Sequence, residues 1–210
     1  MEDLIIWVDE NDNEIGYGEK LETHIKGQLH RAFSVFIFDW SDSTMLIQRR
    51  AIGKYHSGGL WSNACCSHPR KGESMDAAIN NRLKEELGFI CSCHIENPAE
   101  LGLLLHGSDV IYSCGKFKYF AQFEELSEYE IDNVFLYSPN HNGFLKTDFI
   151  INPEEIAELK WLNIEELKLW LEKQPDAFSA WFKPAFEIAY EVLCRQAQNR
   201  DMFYNLRGQG

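Results

Sequence analysis

Two short apolar runs, residues 4–8 and 14–17, flank the turn-rich Asp9 to Asn13 and predict an N-terminal hairpin over about 4–17. Residues 29–39 form a run rich in Phe, Val and Ile. Trp40-Ser41-Asp42-Ser43-Thr44 turns it back into a second strand over 45–50, and a loop follows over 53–59. From Glu73 the period lengthens. Ala77, Ala78, Leu83 and Leu87 recur at helical spacing, and Gly88 is placed to end that helix. Further strands are expected over 100–105, 115–123 and 130–137, with Trp161-Leu162 ending the sheet. Helices over 164–172 and 177–198 close the chain. Strands mixed with helices in this order predict an α+β sandwich, a mixed sheet covered on two faces.

The 210 residues are 45% apolar, enough for a full hydrophobic core. No Pro/Gly/Ser-rich stretch, charge run or repeat divides them, so one domain over 1–210 is expected, its C-terminal helices at about 164–198. Apolar runs such as 33–38 are far too short to span a bilayer. The chain begins Met1-Glu2-Asp3, acidic where a secretory signal would be basic, which predicts a cytoplasmic protein with no membrane partner. The six cysteines are then expected to be reduced, with Cys91, Cys93, Cys114 and Cys194 as buried filler. A net charge of −13 argues against nucleic acid as a partner. It leaves room for a small phosphorylated ligand, because the cations are bunched: Arg49, Arg50 and Lys54, then Arg70, Lys71 and Arg82. Nothing in the sequence marks an oligomeric state.

Candidate chemistry gathers around Asn63-Ala64-Cys65-Cys66-Ser67-His68-Pro69. His24 and His30 precede or open the apolar strand, His68 follows the thiols, and Glu128 and Glu130 stand two apart, on one face of a strand. Imidazole nitrogens with carboxylate oxygens suit a first-row divalent metal, and a thiol beside them is a candidate acid or base. His56, His94, His106 and His141 read as surface histidines.

Residues 73–89, Glu-Ser-Met-Asp-Ala-Ala-Ile-Asn-Asn-Arg-Leu-Lys-Glu-Glu-Leu-Gly-Phe, resemble a degenerate Nudix box. The ending Glu85-Glu86-Leu87-Gly88-Phe89 fits and so does Glu73. The Arg-Glu pair expected earlier is Asn81-Arg82, and the leading glycine falls on Ser67. Around it stand Leu29-His30-Arg31-Ala32-Phe33-Ser34, Arg49-Arg50, Trp61-Ser62-Asn63, Cys66-Ser67-His68-Pro69, Gly72-Glu73-Ser74, Tyr119, Glu128-Tyr129-Glu130 and Ser179-Ala180-Trp181. In this order, across residues 15–190, they resemble the type 1 isopentenyl-diphosphate delta-isomerases, which have a Nudix-type α/β/α sandwich.

That resemblance implies an enzyme of isoprenoid synthesis that interconverts isopentenyl and dimethylallyl diphosphate through a carbocation-like intermediate. It implies a metal centre of His24, His30, His68, Glu128 and Glu130, holding Mn²⁺, Zn²⁺ or Mg²⁺. It makes Cys66, rather than Cys65, the thiol that works with Glu130; alternation along an extended segment would turn Cys65 toward packing. Tyr119 would stand near the acid and Trp181 against the cation. Glu86 would hold a Mg²⁺ bound with the substrate diphosphate, which Lys20, Arg50, Lys54, Ser67 and Arg82 would contact. Two other readings stay open: a Nudix hydrolase, which calls for an intact acidic box, and a sensing domain that has lost catalysis.

Overall fold

The computed structural model describes residues 4–90, 93–96, 110–138, 146 and 149–207, the stretch 199–207 as backbone only. The expected strand over 100–105, with Cys91, His106 and His141, lies outside them. The chain runs β1 (Leu4–Val8), β2 (Glu14–Glu19), α1 (Lys20–Lys26), β3 (His30–Asp39), β4 (Thr44–Arg50), β5 (Trp61–Asn63) and β6 (Cys65–Ser67). It continues through α2 (Met75–Leu87), β7 (His94–Glu96), β8 (Val110–Phe123), β9 (Leu126–Tyr137), β10 (Ile156–Asn163), α3 (Ile164–Lys173) and α4 (Phe182–Arg207).

The strands form one mixed sheet with the central order β10-β4-β3-β9-β8-β7. β3 is its hub. It pairs in parallel with β9 from His30↔Glu130 to Ile37↔Tyr137, while its other edge is shared among β1, β6 and β4. Nine of its ten residues are buried, as a strand covered on both faces requires. One face packs Phe36, Phe182 and Phe186 beneath α3 and α4; the other packs Val35, Ile37 and Leu46 against Ala78, Ile79, Leu83 and Leu87 of α2. The predicted two-faced sandwich is what forms.

α2 starts where Ser74 accepts the Ala77 N–H at 3.3 Å, and it ends at Gly88, whose φ of 62° is left-handed. A Cβ at Gly88 would also lie 2.9 Å from the Ile150 carbonyl oxygen, so only glycine fits. Three expectations need correction. α4 begins at Phe182, not 177: residues 175–177 form a 3-10 turn, and the Ser179 N–H donates to the Trp61 carbonyl at 2.8 Å, which keeps the chain extended. Trp181 therefore sits in the turn before the helix. β8 and β9 begin earlier than expected, at Val110 and Leu126, which brings Glu128 inside a strand. Cys93 is buried, but Cys114 and Cys194 are only half-buried.

Candidate active site

Register assembles the site. His30 on β3 lies beside Glu130 on β9, which lies beside Tyr119 on β8. Antiparallel pairing of β6 with β3 sets Cys66 against Ser34 and leads to His68. α1 supplies His24 from the side, fixed where the Ser127 hydroxyl donates to the His24 carbonyl at 3.0 Å. The donor atoms of His24, His30, His68, Glu128 and Glu130 all lie within 4.8 Å of one another, and the structure thus brings all five expected residues together.

The tautomers show what this cluster is for. His24 Nδ1 lies 2.6 Å from the Lys20 carbonyl and His30 Nδ1 2.7 Å from the Gln28 carbonyl, so both carry hydrogen there. Their Nε2 atoms then point lone pairs inward, at 3.2 Å from Glu128 and 3.3 Å from Glu130. His24 Nε2, His30 Nε2 and Glu128 Oε1 are buried with no hydrogen-bond partner. Lone pairs facing carboxylates repel unless positive charge lies between them. Backbone carbonyls holding the outer nitrogen are the arrangement metal-ligating histidines use.

Electrostatics make the same demand. Burial acts to lower the His24 pKa, yet the Glu128 carboxylate raises it above the ordinary value. Burial and the Glu130 charge act to raise Glu128, yet His24 and His56 hold it below the usual range. Protons on the imidazoles cannot meet the whole demand. Burial, with Lys20, His30 and His24 around it, pushes His68 well below the ordinary histidine value. A divalent cation fits where three protons do not, and the mixed nitrogen and oxygen donor set suits one.

Beside this cluster opens a cavity of about 540 Å³, its mouth included. Cys66, Glu130, Tyr119 and Trp181 all line it. Cys65, by contrast, is fully buried in the core against α2. The Arg50 guanidinium lies 3.7 Å from Cys66 Sγ and 5.1 Å from the centre of the Trp181 ring. Burial pushes the Cys66 thiol up to about 12 against the opposing charge of Arg50, so it keeps its proton. The Tyr119 hydroxyl donates to Glu130 at 2.7 Å. The Trp181 indole N–H donates to Asn63 Oδ1 at 3.1 Å, which fixes the ring's tilt.

The expected cations Lys20, Arg50, Lys54 and Arg82 line the same cavity, with Ser67. Glu86 is buried there, accepting from Gln48 Nε2 at 3.0 Å and paired with Arg82 at 2.7 Å. Burial raises its pKa, with Arg82 opposing. Glu155, which the sequence did not single out, is bound by Lys54 and by Arg82. Asp132, also in the lining and not singled out from the sequence, continues the period-two face of Glu128 and Glu130 along β9. His56 needs outright correction. Read as a surface histidine, it is 9% exposed, lines the cavity and brings Nε2 within 2.7 Å of Glu128.

A NUDIX domain model matches residues 28–182. The chain is 41% identical over 196 residues to isopentenyl-diphosphate Delta-isomerase 2 of Aromatoleum aromaticum, covering 93% of this chain and 89% of that protein. It is 39% identical over 184 residues to isopentenyl-diphosphate Delta-isomerase 2 of Photorhabdus laumondii, covering 87% and 90%, and 40% identical over 190 residues to the Burkholderia multivorans isopentenyl-diphosphate Delta-isomerase, covering 90% and 94%. Among solved structures, a Deinococcus radiodurans protein aligns with a TM-score of 0.58 at 16% identity, over 89% of this chain and 98% of its own; it speaks to the fold alone. With this coverage, and with the NUDIX match running from β3 to the start of α4, the chain belongs to the Nudix superfamily and, within it, to the isopentenyl-diphosphate Delta-isomerases.

Proposed function

We propose that Cys66 and Glu130 are the proton-transfer pair with which this chain interconverts isopentenyl and dimethylallyl diphosphate, the reaction of its family. The observation that carries the assignment is a single cavity lined by a thiol, a carboxylate, a phenol and an indole, with cations in the same lining. Moving a double bond by one carbon adds a proton at one end of the allylic unit and removes one at the other. One group must begin protonated and the other ionised. Burial keeps Cys66 a thiol, and Glu130, in spite of burial, is held below the ordinary carboxylate range by its bonding with Glu128, His30 and Tyr119. Each donates in one direction and accepts in the other.

His24, His30, His68, Glu128 and Glu130 would hold the divalent ion, for which Mn²⁺, Zn²⁺ and Mg²⁺ are the candidates. When bound, such an ion neutralises the paired carboxylates and sets the proton affinity of Glu130. Glu86 is the proposed ligand for a Mg²⁺ arriving with the diphosphate, and Lys20, Arg50, Lys54, Ser67 and Arg82 are the proposed diphosphate contacts. Among the described residues no helix is long and apolar enough to cross a membrane. We assign the protein to the cytoplasm.

Incubation with isopentenyl diphosphate and Mg²⁺, followed by NMR, tests the reaction. Dimethylallyl diphosphate is the expected product; released phosphate would mean hydrolysis, and unchanged substrate a sensing domain.

Trp181 yields a sharper expectation. A tertiary carbocation has no neighbouring oxygen to share its charge, and an aromatic face is electron-rich without being nucleophilic. The cation–π interaction is worth about 2 kcal/mol when desolvated, or roughly thirtyfold in rate. Trp181→Phe should keep partial activity, and Trp181→Leu should lose about thirtyfold, mainly in kcat, because the neutral alkene gains little from the ring. Equal activity in two folded variants would reduce Trp181 to packing.

A further inference from the structure

Glu155 stands in the loop just before β10 and lines the cavity. One of its oxygens, Oε2, accepts from Lys54 Nζ and from Arg82 Nη2, the latter at 2.7 Å. Lys54 comes from the loop after β4 and Arg82 from α2, so one carboxylate oxygen joins two separate elements. The three side chains are 19–20% exposed, within reach of a ligand. Two cations drawn toward one point would repel each other without that charge between them.

The carboxylate is anchored from both sides. The Ala51 N–H donates to the Glu155 carbonyl at 2.9 Å, and the Lys54 N–H donates to the Ala51 carbonyl at 3.2 Å. Toward α2, the Glu155 N–H donates to the Asn152 carbonyl at 3.0 Å and the Asn152 N–H to the Glu86 carbonyl at 2.9 Å. Backbone bonds thus tie Glu155 to both of the elements it bridges. Lys54 Nζ carries three hydrogens and Arg82 Nη2 two, so each can serve Glu155 and a phosphoryl oxygen at once. A carboxylate that only filled the site until a ligand arrived would need neither feature.

We propose that Glu155 is a positioning residue of the diphosphate subsite, holding Lys54 and Arg82 where the phosphoryl oxygens arrive. This rests on the reading that those two cations contact the diphosphate. Long basic side chains lose rotamer freedom when a ligand fixes them, and ordering them beforehand removes that cost from binding.

Glu155→Gln keeps the shape and an acceptor oxygen but gives up the charge. The measurement is calorimetric binding of inorganic pyrophosphate with Mg²⁺ to the purified full-length chain, with a melting curve for each variant and KM and kcat for isopentenyl diphosphate. Positioning predicts pyrophosphate binding about tenfold weaker, the scale of reordering two long side chains. KM should rise in step while kcat changes little, because the diphosphate is held alike before and during proton transfer. Plain charge repulsion predicts the opposite sign, since removing an anion beside an anionic ligand tightens binding. In a Lys54→Met background the Gln substitution should cost less, one of the cations it acts through being gone. Equal costs, within about twofold, would mean that Glu155 acts independently of Lys54. Binding unchanged or tighter in Glu155→Gln, or equal costs in the two backgrounds, overturns the role of Glu155 alone. A wild type that binds no pyrophosphate, or a Lys54→Met protein that binds it as tightly as wild type, overturns the diphosphate assignment, and the proposal with it.

Discussion

Cys66→Ala is expected to abolish measurable isomerisation, and Cys65→Ala to leave most of it. The two thiols are adjacent, yet β6 is extended and pairs with β3 through Ser34↔Cys66 and Val35↔Cys65, so successive side chains leave by opposite faces. Cys65 enters the core against α2 with no exposed surface, while Cys66 faces the cavity. Loss of a positioned acid or base costs about 10²- to 10⁴-fold. Truncating Cys65 should instead cost stability, about 1 kcal/mol, seen as a fall in Tm of about 2–4 °C. Turnover followed by NMR, with a melting curve for each variant, makes the comparison. Comparable losses of activity in both would show that the thiols act jointly or that the wrong one is assigned.

How much of this was legible in the sequence depends on whether burial follows hydrophobicity. It largely does in β3 and β4, whose apolar residues are buried on both faces, and in α2, where they recur at helical spacing, and those elements form close to where they were expected. It fails in α1. Among its seven residues Leu21 and Ile25 are exposed, at 51% and 57%, while Thr23 and His24 are buried. The inverted pattern hides the helix from any argument built on amphipathicity, and function is the reason, since the buried face must present an imidazole. The start of α4 was misplaced because residues 178–181 look helical in spacing, whereas Phe178 bridges to Trp61, the Ser179 N–H donates to the Trp61 carbonyl, and residues 180–181 form a turn before the helix. Glu128 and Glu130 could be paired from their two-residue separation. His56 and Glu155 could not be found that way: each lies in a loop, and side chains more than 70 residues away in the chain give it meaning, Glu128 for one and Arg82 for the other.

The second large effect concerns the metal. Stripping the His/Glu ion with a chelator should lower the Tm, and His68→Ala should lose that ion during purification. β9 carries Glu128 and Glu130 two residues apart, both nearly inaccessible, with inward lone pairs on His24 and His30 opposite them. Without a cation the fold keeps two carboxylates in a poorly hydrated site against nitrogens that repel them. Binding there is therefore part of the folding free energy. Metal at a hundred times its Kd adds about 2.7 kcal/mol, and a chain of this size shifts by about 2–4 °C per kcal/mol, so removal should lower the Tm by about 5–11 °C. His68 is the ring whose truncation separates metal loss from lost imidazolium pairing, because burial already keeps it neutral. Glu86→Gln supplies the contrast. Glu86 is paired with Arg82 and Gln48 and is not one of the five clustered donors, so its variant should retain the His/Glu ion and weaken only Mg²⁺-dependent diphosphate binding. Elemental analysis of the two purified variants, beside binding of the diphosphate with and without Mg²⁺, decides between them. A His68→Ala protein that keeps its full complement of metal would end the five-donor assignment, whatever its activity.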